Sequence, residues 1–348
     1  MAMLNGSKHS TAAQKANVPL IAPEDLERAA ALILAAGLNV LPGGARVRAI
    51  RRLSQLTGTI WHKTNRAVVR RVRQHLQVVF DYEPADEALE SLVRDQLVLA
   101  GWNALIANLL PLFREEHLAG LLQLEGLHYL DDLRRQDRAI LLLGFHYGVY
   151  GYAIAATLAA RGYPTRLVGY GDARSEPPRT SRLYRKFYFP RLQRVNRWVR
   201  TVVIEPDNTS QPEMLKLLEQ RDELIYLLAD QYFVVPPGRG HPSNLVPLNL
   251  MDHTVYLDVT GVRMAKQMGA HSLTVIPVKD ERRERVLIEP LGWASDGTTT
   301  ADIARDLQIY LARLERHLLE YPALWRELRR AELLPRLGIF EGGGGAWQ

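Results

Sequence analysis

Five short apolar runs, most of them separated by segments of helix length, constrain the fold of this chain more than any other feature. They are AILLLG (139–144), TRLVG (165–169), VVIE (202–205), LIYLLA (224–229) and LTVIPV (273–278). Runs this short and this rich in Leu, Ile and Val suit strands buried on both faces, as in a parallel sheet. Segments 151–161, 180–200, 210–221 and 254–269 read as helices between them. A sixth strand, RVLIEPLGW, follows the charged turn KDERRER, and TADIARDLQIYLARLERHLLEYP then reads as a long helix. Strand–helix alternation predicts an α/β fold, with a mixed, mostly parallel sheet flanked by helices.

Upstream the period changes. Residues 23–137 read as helical, an N-terminal extension to the sheet. PEDLERAAALILAAG opens on Pro23 and acids and stops at Gly37, and NRAVVRRVRQHLQVVF sets Val68, Val69, Val72, Leu76, Val79 and Phe80 at helical spacing against arginines. LAGLLQLEGLHYLDDLRRQD reads as a shorter helical pair. The expected organisation is a disordered start (1–22), a helical region that docks a membrane or a carrier (23–137), an α/β core (138–330) and a flexible tail ending in EGGGGAWQ (331–348). No run reaches the roughly 20 apolar residues that span a bilayer. The two nearest, 29–41 and 97–113, read first as buried core helices and second as shallow membrane insertions; the latter is interrupted by Asn103, Asn108 and Pro111.

Charge distribution narrows the partners. The chain carries net +6, and from Arg46 to Arg73 there are nine Lys/Arg and no acid. From Arg182 to Arg200 there are seven, again with no acid. Such blocks suit an anionic partner, or else are solvated faces paired with acids elsewhere. They are not read as a nucleic-acid stacking platform. The absence of cysteine excludes disulfides, thiolate zinc sites and an acyl-cysteine intermediate. GYGDAR (169–174) does not complete a dinucleotide-binding turn, no G-x-S-x-G is present, and the ten histidines show no metal-ligand spacing.

One histidine stands apart. His146 directly follows the first buried run, between Gly144 and Gly148, and precedes a helix. Ligands bind at the carboxyl ends of strands in open α/β sheets, and an imidazole there can take a proton near neutral pH. The other reading is a histidine that caps the helix or bonds a backbone carbonyl.

Several stretches, in order, resemble the bacterial lipid A biosynthesis acyltransferase family, within the wider glycerolipid and lysophospholipid acyltransferase superfamily. They are NRAVVRRVRQHLQVVFDYEPADEALESLVRDQLVLAGWN, LLLGFHYGVYG, LIYLLADQYFVVPPG, VPLNLMDHTVYLDVTGVRMAKQMGAHSLTVIPVKD and the closing YPALWRELRR. The resemblance implies an acyltransferase that moves an acyl group from a thioester to a hydroxyl or amine of a lipid-like or natural-product acceptor. It implies His146 as general base, with acyl carrier protein or coenzyme A carrying the acyl group as cosubstrate and no bound cofactor or metal. The family places an acid five residues after the histidine, and here that residue is Gly151. Asp230, in the DQ segment, is the first candidate to replace it and Asp172 the second; a backbone carbonyl holding the imidazole is a further possibility. Gly144, Tyr147, Gly148, Tyr150 and Gln231 are expected to shape the substrate pocket. Arg182 and Arg185 are expected either to grip a phosphate or to face a membrane. The implied location is cytoplasmic and peripheral, on the anionic inner face of the cell membrane. The alternative is a non-catalytic lipid- or carrier-binding protein on the same fold. The acceptor, the acyl length and the oligomeric state are not legible.

Overall fold

The computed structural model describes residues 33–34, 36–83, 87–149, 151–170, 186, 190, 199–204, 211–229, 244–279, 284–330 and 333–337. Three long helices come first: α1 (Gly43–Thr64), α2 (Arg66–Phe80) and α3 (Glu87–Leu109). Then follow α4 (Glu115–Ala119), β1 (Gln123–Glu125), α5 (Leu127–Arg135), β2 (Ile140–Gly144), α6 (Gly151–Ala160), β3 (Thr165–Tyr170) and β4 (Val199–Ile204). The chain continues through α7 (Gln211–Gln220), β5 (Leu224–Leu228), β6 (Leu245–Leu250), β7 (His253–Asp258), α8 (Thr260–Gln267), β8 (His271–Val278) and β9 (Arg285–Pro290). It closes with α9 (Thr300–Glu320), two tight helical turns at Pro322–Leu324 and Arg326–Arg329, and α10 (Leu333–Arg336).

Seven strands form one sheet in the order β1-β9-β8-β2-β5-β3-β4. β2 lies parallel to both β5 and β8, and only the β8–β9 pair is antiparallel. The fold is therefore the expected mixed, mostly parallel α/β sheet with an N-terminal helical region. Alternate residues of the central strands supply two separate cores. Leu141 and Leu143 of β2 and Ile225 and Leu227 of β5 pack with α2, α7, α8 and α9. Ile140, Leu142, Leu224, Tyr226 and Leu228 pack with α5 and α6. Helix α3 serves both, giving Leu89, Val93 and Leu97 to the first core and Trp102, Ile106 and Leu109 to the second. Residues 97–109 are thus core, as their apolar run suggests. Among the described residues no helix is long and apolar enough to cross a membrane.

Two expectations are corrected. The segment 254–269 is not one helix: it opens as β7, which pairs antiparallel with β6 in a separate two-stranded sheet, and only then becomes α8. Here Asp258 ends the strand, and its side-chain oxygen accepts the Thr260 backbone N–H at 2.6 Å, which favours a fresh helix start. The segment read as a helical pair contains β1, which extends the sheet by pairing parallel with β9. The stretch 180–200 lies mostly outside the described residues.

Helices α8 and α9 are joined by an ion pair inside the first core. Lys266 Nζ lies 2.5 Å from Asp306 Oδ2, with the two side chains 3% and 1% exposed. The other carboxylate oxygen accepts the Ala294 N–H at 2.6 Å. A buried cation stripped of its partner is costly. Asp306→Ala is expected to destabilise the fold by about 3–5 kcal/mol in urea unfolding, and adding Lys266→Met should recover part of that loss.

Candidate functional site

β2 ends at Gly144, and its chain runs on through Phe145 and His146 to Gly148 before α6 begins. The neighbours of His146 point into packing. Phe145 stacks on Tyr310 of α9 at 4.8 Å between ring centroids. Tyr147 is 1% exposed, and its hydroxyl donates to the carbonyls of His317 (2.8 Å) and Tyr321 (3.3 Å) at the end of α9. Burial pushes that phenol far above its ordinary pKa. His146 itself is only half-buried.

The backbone of this loop is held by the closing segment. The His146 carbonyl accepts the Arg326 N–H at 3.0 Å, and the Gly148 N–H donates to the Leu324 carbonyl at 2.6 Å. Between them Tyr147 and Trp325 form an antiparallel bridge. The N-terminal helices secure both sides. Asn103 of α3 donates its amide to the Gly148 carbonyl at 3.1 Å, and Gln96 donates to the Trp325 carbonyl at 2.5 Å. His75 of α2 donates through Nδ1 to the Leu328 carbonyl at 2.8 Å. The side-chain oxygen of Asn103 is buried with no hydrogen-bond partner among the described residues. In the sequence Asn103 registers only as an interruption of an apolar run, yet such an interruption was the one available sign of this contact.

The expected site residues fare differently. Gly144 and Gly148 flank His146, but close packing within the protein accounts for both. A Cβ on Gly144 would sit 2.5 Å from the ring of Tyr226. Gly148 has φ +62°, and a Cβ there would sit 2.4 Å from Cβ of Pro277. Tyr147, expected to shape the pocket, is instead tied into the core. Gly151, at the position of the family's acid, is the first residue of α6; a Cβ there would press to 3.3 Å on Leu228. Asp230, Gln231, Tyr150, Asp172, Arg182 and Arg185 lie outside the described residues. The register of the sheet is informative nonetheless: Gly144 of β2 stands opposite Leu228 of β5.

A cavity of about 330 Å³ adjoins the closing segment. Its apolar wall includes Leu92, Val98, Leu99, Trp102, Ala323 and Leu324, the last being the residue whose carbonyl holds Gly148. Its rim carries the Lys279–Asp95 ion pair at 2.7 Å.

Fold and site together define an α/β protein with a half-buried histidine just beyond a central parallel strand, in a loop held by a closing segment that also walls an apolar cavity. The profile of the bacterial lipid A biosynthesis acyltransferase family matches residues 25–307, and the chain belongs to that family. Membership assigns it to the acyltransferases and suggests acyl transfer to a lipid-like acceptor. No curated protein matches the chain.

The loop's dependence on Gly148 is measurable. Gly148→Ala incurs both a left-handed backbone and overpacking against Pro277, whereas Gly269→Ala, at φ +67° with nothing within 4 Å, incurs only the first. Gly148→Ala should therefore destabilise by about 1–3 kcal/mol more than Gly269→Ala in denaturant titrations.

Proposed function

We propose that this protein transfers an acyl group from the thioester of acyl carrier protein or coenzyme A to a hydroxyl or amine of a lipid-like or natural-product acceptor, with His146 as general base. The observation that carries the reading is the histidine loop at the carboxyl end of β2, half-open at His146 and rigid on either side. In this reading a ring nitrogen of His146 takes the proton from the acceptor as its oxygen or nitrogen attacks the thioester carbonyl. The new bond to carbon forms, the carbon–sulfur bond breaks, and the imidazolium returns its proton to the departing thiolate.

Asp230 is our choice for the group that orients the ring. It follows Leu228 by two residues, as His146 follows Gly144 by two, and Gly144 and Leu228 are opposite each other in adjacent parallel strands. Gly151 cannot serve, and Leu228 occupies the space beside it. The acyl chain is assigned to the 330 Å³ cavity next to Leu324. Tyr150, Gln231, Arg182 and Arg185 remain our candidates for acceptor or donor contacts, and a peripheral position on an anionic membrane face suits the basic blocks.

His146→Ala should abolish acyl transfer from acyl carrier protein and coenzyme A thioesters in a radiolabelled-acyl assay. Asp230→Asn should lower kcat by about 10²- to 10⁴-fold with KM little changed. Full transfer by the His146 variant would remove the base assignment. A wild-type protein inert with every donor would leave the lipid- or carrier-binding role. Leu99→Phe, which fills the cavity wall, should shift donor preference toward shorter acyl chains.

A further inference from the structure

The second cavity has a different character. It measures about 710 Å³ and lies between the first turns of α1 and the Gly120–Gln123 connection into β1. Arg48, Arg51, Arg52 and Arg161 line it, and no Asp or Glu does among the described residues. Arg161 is pre-positioned: its Nε donates to the Ala119 carbonyl at 2.8 Å and one Nη to the Leu122 carbonyl at 3.1 Å. Arg51 reaches Glu284 at 3.5 Å. Arg48 and Arg52 are exposed, and among the described residues neither has an acidic partner. Gly43 and Gly44, the first residues of α1, form part of the wall. Pro42 before them offers no side-chain cap, and the first turn has no acid to offset the positive end of the helix dipole at this wall.

We propose that this cavity binds an organic phosphate, a phosphomonoester or a diphosphate. Arg48 and Arg52, about one turn apart on α1 and without an acidic partner among the described residues, repel one another, and an anion of two or more charges relieves that repulsion. Planar guanidinium forks pair two oxygens at a time, which matches phosphoryl groups. The volume lies within the range of ligand pockets and exceeds what a bare phosphate fills, leaving room for the organic part. Arg51 and Gln55 belong to the walls of both cavities, so the two are neighbours.

The site is separate from the histidine loop. His146 precedes the N-terminal end of α6, whereas Arg161 lies just past its C-terminal end, about 15 Å along a ten-residue helix. The proposal does not depend on acyl transfer, and its test measures binding alone.

Two probes separate the sources of such a phosphate. Inorganic pyrophosphate is titrated by calorimetry, and phosphatidylcholine vesicles with and without phosphatidylglycerol are used in flotation. The paired substitution Arg48→Gln/Arg52→Gln is compared with Arg66→Gln/Arg70→Gln, which removes the same charge from exposed positions that do not line the cavity. Thermal melts confirm that both pairs fold. Saturable pyrophosphate binding that weakens by at least about tenfold in the first pair and not in the second supports a soluble phosphate ligand. Selective loss of binding to the phosphatidylglycerol vesicles, with no pyrophosphate binding, supports a lipid phosphate. Equal losses in the two pairs, or no binding of either probe by the wild type, overturns the proposal.

Discussion

The pairing of residues 146–148 with 324–326 is the interaction on which the histidine loop of this molecule depends. Two backbone hydrogen bonds and the Tyr147–Trp325 bridge turn an irregular excursion beyond β2 into a rung of regular structure. A loop left to itself would lose the orientation of its side chains to conformational entropy. Here Phe145 and Tyr147 are locked into the core beneath α9, and His146 between them keeps access to solvent. Proton transfer needs such placement, because the reacting groups must meet at hydrogen-bond distance. The N-terminal helices take part through Gln96, Asn103 and His75, so the helical region and the sheet form one supporting frame around the histidine.

Much of that frame is legible in the chain. Strands covered on both faces are mostly apolar, and β2 and β5 announce themselves as uninterrupted runs, β8 as a run that also takes in the buried Ser272 and Thr274. The hairpin β6–β7 does not. Its turn is made by Met251 and Asp252, both with positive φ, and this pair lacks the Asn-Gly or Gly-containing signature of such turns. Its second strand then flows into α8 through residues whose spacing also suits a helix. β1 is three residues long and belongs to the sheet only because β9 accepts it, a tertiary fact with no local trace.

At the site, the sequence reveals which residues are unusual better than it reveals why. The glycines around His146 look like provision for a close ligand, yet Tyr226 and Pro277 fill the spaces that side chains would have taken. The missing acid at Gly151 has a packing counterpart in Leu228, which could not be foreseen without the register of β5. Arginines of the first basic block divide by geometry. Arg46 is buried and spends its guanidinium on the carbonyls of Leu38 and Leu41, whereas Arg48 and Arg52 border a cavity. Charge counting cannot separate these two fates, because both occur within one helix.

The rung between residues 146–148 and 324–326 joins parts of the chain made far apart in time during synthesis. A nascent polypeptide emerging in order from its first residue can assemble β2, β5 and β8 before Arg326 exists, but it cannot yet brace the histidine. The hydrogen bonds that hold the histidine loop therefore form only once nearly the whole described structure has been translated.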